Sequence, residues 1–490
     1  MSLRVVACIY FALFIIMLGV VSAWSAREKS KGTKDQATEH FLGGRNTPFF
    51  VLAMAYCASF ASAGSFMGDP ALVSYIGYPY IWFGCFLVPG SVLVGLVIIR
   101  KMRLQCEKLH CLTPPIEFIG ARFDSPFLKV FLSLTMAICL TMSLVSQVKG
   151  AAVLLVHFTQ IDFKIAVIII AVAIGVCTVS GGMRSVAWTD TFQGILMVAL
   201  CIVLIVSGLV KAGGFAGIDA FLANYDLNML KAAQDGLWVD CGIPGIIGMA
   251  VFAILVLPAQ PYLMSNYIAM KDVTRKTVGK FLLLTLFTNL LFCSLPICGL
   301  AGRVLYPNAE ADYIVVTLAT GILHPLLSCG IMVGLFSAII STATAMLLAI
   351  GQGVGRDVLV QFQPNTSIKR QVCVANIVSV IVVLICMVFN LSNPPEFLQF
   401  FNLIGQTGVG TAIALPLYCG ILYKKATKEA AISAAIMGVI ATVVFNFIPC
   451  GFAVAMGAPI IVAAITFFGV NAIIVNARGV NEEIAALGQV

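Results

Sequence analysis

The sequence predicts an all-α polytopic membrane protein whose helices form two five-helix sets, one inverted relative to the other. Three observations carry this. Of the 490 residues, 60% are hydrophobic and only 10% charged, with a mean hydropathy of +1.04; a soluble domain has no use for that much apolar surface. About 13 apolar segments recur along the chain, matching the ~20 residues that a spanning helix needs. Two of these segments are interrupted in their middles, and four intact ones lie between them.

The first segment, residues 3–24, lacks a closing small-residue cleavage site and reads as an uncleaved helix. The second, 48–77, is the first interrupted one. Ala58, Ser59, Ala61, Ser62, Ala63, Gly64 and Ser65 form a run of small residues, followed by Gly68-Asp69-Pro70. Proline removes a backbone donor and glycine relaxes the dihedrals, so this helix should unwind partway. Broken backbone at membrane depth survives where its freed carbonyls line a protein cavity, and such carbonyls hold cations. The same residues also suit a kinked helix that packs closely through small side chains.

Spans follow at 79–100, 127–158, 164–182 and 187–212. The basic, partly amphipathic stretch 99–126 is expected on the cytoplasmic membrane surface. Its Cys106, His110 and Cys111 are too few for a metal centre. Lys149 falls in the outer half of an apolar span beside Ser146 and Gln147. It reads either as a functional cation inside the membrane or as a side chain snorkelling to the outer interface. In GGMRSVAWTDTFQG, residues 181–194, Asp190 and Gln193 share one helix face near its inner end. A carboxylate there attracts or releases a cation; it is also what a helix dipole favours at a helix start.

After an external loop, 213–240, the segment 241–268 is interrupted again by Gly242, Pro244, Gly245, Gly248 and Pro258-Ala259-Gln260-Pro261. Gln260 reads as a substrate contact or a helix-cap amide. Spans at 278–305, 322–352, 371–391, 395–422, 427–448 and 453–476 complete the chain. In 322–352, Ala338, Ser341 and Thr342 share one face. Two hydroxyls and a carbonyl suit a hard monovalent cation, although Ser and Thr also bond back to their own helix. Asn402 and Gln406 are polar positions in 395–422.

The two sets are therefore 48–212 and 241–422, flanked by 1–47 and by two further helices with a short tail over 423–490. An odd number of helices per set turns the second set upside down. That is the layout of inverted-repeat secondary transporters, which bind at the midplane between broken helices. If residues 25–47 are cytoplasmic, the loops on that side carry 22 Lys and Arg, against five (Arg4, Lys164, Lys211, Lys231, Arg303) opposite. The N-terminus is then outside and the C-terminus in the cytoplasm. These flanks account for the net charge of +8 and give no reason to expect nucleic acid. The 16 cysteines sit mostly inside spans, as small apolar residues.

On these stretches the chain resembles the sodium:solute symporter family, over about residues 41 to 475. GGMRSVAWTDTFQG is similar to the family's signature at the fourth-to-fifth core helix turn. AQPYLMSNYIAMKD resembles its GQPH…R…KD segment, and SAIISTATAMLL its sodium-site helix. FLGGRNTPFFVLAMAYCASFASAGSFMGDPA and NPPEFLQFFNLIG are similar to the family's sodium/pantothenate symporters.

The resemblance implies a leucine-transporter-type 5+5 inverted repeat. It implies a sodium site made of the carbonyls of Ala58, Ala61 and Ala338 with the hydroxyls of Ser341 and Thr342, and a sodium-handling role for Asp190. A solute between the broken helices would touch Ser59, Ser62, Gln260 and Gln406, with Lys149 available to a carboxylate. Tyr262 and Asn266 stand where the family usually has His and Arg, and Lys149 is not a position where it has a basic residue.

The expected function is sodium-coupled symport of a small organic solute, a carboxylate such as pantothenate, by alternating access in a bacterial inner membrane. Expected partners are the solute, Na+ and membrane lipid, with no cofactor beyond the coupling ion and no obligatory protein partner. No metal cluster or nucleophile–base signature points to an enzyme. Three alternatives stay open. One is a proton-coupled symporter in which Lys149 or Asp190 changes protonation. The others are an amino-acid or monocarboxylate symporter of the same fold, and a sensor that binds solute without moving it.

Overall fold

Two sharp bends, in the two segments that proline and glycine interrupt, set the architecture of this computed structural model. It describes residues 3–29, 47–112, 115–179, 183–236, 240–395 and 398–479. In chain order the helices are α1 (Leu3–Lys29), α2 (Phe49–Phe60), α3 (Gly64–Ile76), α4 (Tyr78–Lys108), α5 (Ile116–Arg122) and α6 (Pro126–Thr159). Then come α7 (Phe163–Val179), α8 (Met183–Lys211), α9 (Gly214–Tyr225), α10 (Ile243–Ala259), α11 (Pro261–Ile268) and α12 (Arg275–Leu305). The last are α13 (Ile314–Ile322), α14 (Pro325–Phe362), α15 (Ile368–Ser392), α16 (Leu398–Leu422), α17 (Lys428–Phe447) and α18 (Phe452–Arg478).

Among the described residues, ten helices are each long and apolar enough to cross a bilayer, and the bent pairs α2–α3 and α10–α11 raise this to twelve if each is one span. The remaining expected span, 164–182, is α7. Its 17 residues rise roughly 26 Å at 1.5 Å each, a little short of the ~30 Å hydrocarbon core. Residues 180–182 lie outside the described set, as does most of the expected loop over 25–47.

The chain bends by 57° between α2 and α3 and by 52° between α10 and α11. Ala61 (φ −74°, ψ 109°) and Gln260 (φ −61°, ψ 130°) take extended backbone at the two breaks. Each broken helix also carries a π-helical turn on the neighbouring half, Gly64–Gly68 and Phe252–Val256. Such turns recur at functional sites.

A parallel bridge between Thr47 and Met270 joins the start of α2 to the end of α11. These two half-helices therefore run antiparallel, and Tyr56 and Tyr267 pack between them with ring centroids 5.4 Å apart. Helices α14 and α16 form the buried centre. Small residues allow this; Gly334 of α14 meets Leu200 of α8, and Gly405 of α16 meets the backbone of α6 at Cys139. On the outer helices large apolar side chains such as Ile138, Val172, Ile381 and Ile465 are exposed, as suits lipid contact.

Much of the stretch 99–126, expected at the cytoplasmic membrane surface, packs against the rest of the protein. Ile116, Phe118 and Ile119 are buried, and so are Arg103 and Arg122. Arg103 donates to the carbonyl of Ile268, the last residue of α11, and Arg122 donates to that of Gly420 in the last turn of α16 at 3.0 Å. The final carbonyls of a helix lack intrahelical partners and carry partial negative charge, so buried guanidinium groups settle there.

Candidate ion and solute site

The first break holds a cluster of oxygens. On α14 the spacing of Ala338, Ser341 and Thr342 turns all three toward the end of α2. Ser341 Oγ donates to the carbonyl of Ala58 at 2.7 Å and lies 3.0 Å from that of Ala338. Thr342 Oγ1 lies 2.8 Å from the carbonyl of Ala61, 3.0 Å from those of Ser59 and Ala338, and 3.4 Å from that of Ala58. The five positions named from the sequence thus meet at one point, and the Ser59 carbonyl joins them. The carbonyls of Ala58, Ser59 and Ala61 are free because the helix stops at Phe60, while that of Ala338 lies within α14. A hydroxyl has one proton to donate, so several of these oxygens keep lone pairs for a hard cation.

Asp190, on α8, stands beside this cluster. It is buried, and its Oδ2 accepts from Ser59 Oγ at 3.3 Å. Its Oδ1 and both polar side-chain atoms of Gln193 have no hydrogen-bond partner among the described residues. On the other side of the break, Gln147 Oε1 accepts the Ala63 N–H at 2.9 Å, satisfying a donor that the bend exposes.

A narrow cavity of about 30 Å³ lies beside α3. Ser62, Ser65, Asp69, Tyr80, Gln399, Asn402 and Gln406 supply its polar lining, and Phe60, Phe83, Leu87 and Phe292 much of the rest. Gln399, Asn402 and Gln406 recur along one face of α16 and join into a row. Gln399 Nε2 donates to Asp69 Oδ1 at 2.5 Å, Asn402 Nδ2 to Gln399 Oε1 at 3.3 Å, and Gln406 Nε2 to Asn402 Oδ1 at 3.1 Å. Gln260, at the second break, extends the row by donating to the Gln406 carbonyl at 2.8 Å. Tyr80 closes its other end, 2.8 Å from Asp69 Oδ1. The row therefore links one broken helix to the other.

A family model for the sodium:solute symporters matches residues 40–438. The chain belongs to the sodium:solute symporter family. Among its relatives are the sodium/pantothenate symporters of Haemophilus influenzae, 26% identical over 448 residues and 89% of each chain, and of Escherichia coli, 25% identical over 432 residues and 87% of each. The sodium/proline symporter of H. influenzae is 24% identical over 82% of each chain. A Na+-coupled sialic acid symporter in a substrate-bound outward-open state superposes with a TM-score of 0.79 at 19% identity, over 96% of this chain and 98% of that one. The nucleobase-cation symporter Mhp1 in a closed conformation gives 0.56 at 13% identity, over 92% and 97%. The fold of this symporter-family chain is thus the leucine-transporter type that the broken helices indicate.

The solute contacts expected from the sequence divide. Ser62 and Gln406 line the cavity, and Gln260 supports Gln406. Ser59 turns away from the cavity to Asp190. Lys149 is not among the lining residues; its ammonium pairs with Asp312 at 2.6 Å, next to α13. Asp69, Tyr80 and Gln399 were missed. Asp69 is the only acidic residue in segment 48–77, and Gln399, Asn402 and Gln406 are spaced three and four apart in an apolar helix. An intramembrane acid and a polar helical stripe are both signals that a sequence carries.

Proposed function

We propose that this chain is a sodium-coupled symporter that carries a small polar organic solute across the membrane by alternating access. The observation that carries the reading is the convergence of Ser341 and Thr342 hydroxyls on the carbonyls of Ala58, Ala61 and Ala338, at 2.7 to 3.0 Å. A sodium ion among these oxygens ties the end of α2 to α14. Asp190, one hydroxyl away through Ser59, supplies negative charge for the ion's arrival and release. Closing the joint favours the solute-ready state, and loss of sodium reopens it; the ion shifts the equilibrium by binding one state better than the other.

The solute occupies the cavity between the two broken helices, against the amides of α16. Pantothenate and proline, for which relatives are named, are the first solutes to test. The protein is integral to a bacterial plasma membrane, with its N-terminus outside, on the strength of the charge asymmetry.

The test is uptake into proteoliposomes under an inward sodium gradient, with potassium as the control. Ser341→Ala combined with Thr342→Ala should raise the sodium concentration for half-maximal uptake by about 5- to 150-fold, the loss of two hydrogen-bonding ligands at ~0.5–1.5 kcal/mol each. An unchanged sodium dependence removes the site. Uptake that ignores sodium and follows a pH gradient assigns the coupling to protons.

A further inference from the structure

Among the described residues, the cavity lining carries one acidic group and no basic one. Asp69 is 7% exposed, and its Oδ1 accepts from both Tyr80 and Gln399. Its Oδ2 has no hydrogen-bond partner among the described residues, although the residue lines the cavity. None of the described lining residues is Lys, Arg or His. The intramembrane cation nearest in expectation, Lys149, is already paired with Asp312.

A buried carboxylate is costly unless a positive group or enough donors meet it. Two donors on one oxygen leave the other, on a residue that lines the cavity, for a further partner. Around the cavity stand the rings of Phe60, Tyr80, Phe83 and Phe292. Phe60 and Phe292 are stacked at 6.3 Å, and Tyr80 and Phe83 lie 5.7 Å apart. Aromatic faces attract cations, and they do so most strongly in desolvated sites; a carboxylate beside several rings is the setting in which alkylated ammonium groups are recognised. A solute whose only charge is a carboxylate meets the reverse, a like charge in a low-dielectric site with no counter-ion.

Resting on the sodium-symport reading, we infer that this cavity recognises a solute bearing a carbon-substituted ammonium group, which docks on Asp69 among these rings. The amides of Asn402 and Gln406 take the polar remainder of the solute.

The experiment uses the full chain in proteoliposomes and measures sodium-driven uptake of radiolabelled choline, L-proline and pantothenate. Asp69→Asn keeps the Oδ1 acceptor and the side-chain volume, so it removes the charge and little else. Choline or L-proline should accumulate, and Asp69→Asn should raise its KM by at least about tenfold, as for loss of a buried charge partner, while the maximal rate changes far less. In the unsubstituted protein an excess of tetramethylammonium should compete and an equal excess of acetate should not; this arm requires no variant to fold. Accumulation of pantothenate alone, with a KM indifferent to Asp69→Asn, overturns the inference and leaves sodium symport standing. Pantothenate uptake that follows a pH gradient and is lost in Asp69→Asn also overturns it, making Asp69 a proton carrier. Absence of sodium-driven uptake of all three solutes overturns the symport reading itself.

Discussion

At Gly64 there is no room for a side chain. A Cβ there would lie 2.3 Å from both Asn402 Nδ2 and Gln399 Oε1, and one at Gly68 would lie 2.8 Å from Gln399 Cβ. Both glycines let α3 lie directly against the polar row of α16. Gly64→Ala should push the two amides out of their bonds and raise the solute KM by about tenfold, the cost of one or two hydrogen bonds. An unchanged KM would place the row outside the solute path. Of the oxygens that meet at the first break, Ala338, Ser341 and Thr342 were legible from their shared helical face, while Ala58 and Ala61 came from the family resemblance. The partners of Asp69 were not legible. Gln399 lies 330 residues away, and only the folded chain sets it against the break.

At the scale of elements, Pro258 and Pro261 flank the 52° bend at Gln260, whereas the 57° bend falls at residues 61–63, just before Gly64, and α3 runs on through Gly68-Asp69-Pro70. Charged residues were harder to read, since a sequence gives their type but not the helix end that they meet. Arg103 and Arg122 read as a membrane-surface stretch, yet each closes the end of a helix 165 or 298 residues further on. Lys149 is the same lesson. Its partner Asp312 sits between α12 and α13, 163 residues away, and each side chain is 11% exposed. The pair joins α6 to the segment before α13 and holds the charge that a solute carboxylate would need. Lys149→Met leaves Asp312 poorly solvated without its counter-ion and should cost about 1–3 kcal/mol of stability, a partly exposed version of breaking a buried pair. Thermal unfolding in detergent measures this. The solute KM should stay within about twofold, well below the tenfold change that 1.4 kcal/mol gives; a large rise in KM with unaltered stability would return Lys149 to the solute site.

For the whole molecule, the bridge that joins the start of α2 to the end of α11 at Thr47 and Met270 and the buried pair α14 and α16 bring the two broken helices together at the centre. The ion cluster spans α2 and α14, while the polar row spans α3, α16 and the α10–α11 break. Both clusters share the broken helix α2–α3, so under the proposed symport, ordering the break for sodium would also order it for solute. Such coupling is reciprocal: whatever sodium adds to solute affinity, solute adds to sodium affinity.

The most direct test of this account is the thermal unfolding of the detergent-solubilised protein in sodium against equimolar potassium, with Thr342→Val as the comparison. Valine keeps the shape of threonine and removes the hydroxyl that meets the carbonyls of Ser59, Ala61 and Ala338. Sodium at 100 times its Kd should stabilise the unsubstituted chain by about 2.7 kcal/mol, and Thr342→Val should lose most of that gain. Equal stabilisation of both proteins by sodium, or none of either, would contradict a sodium ion at the joint of α2 and α14.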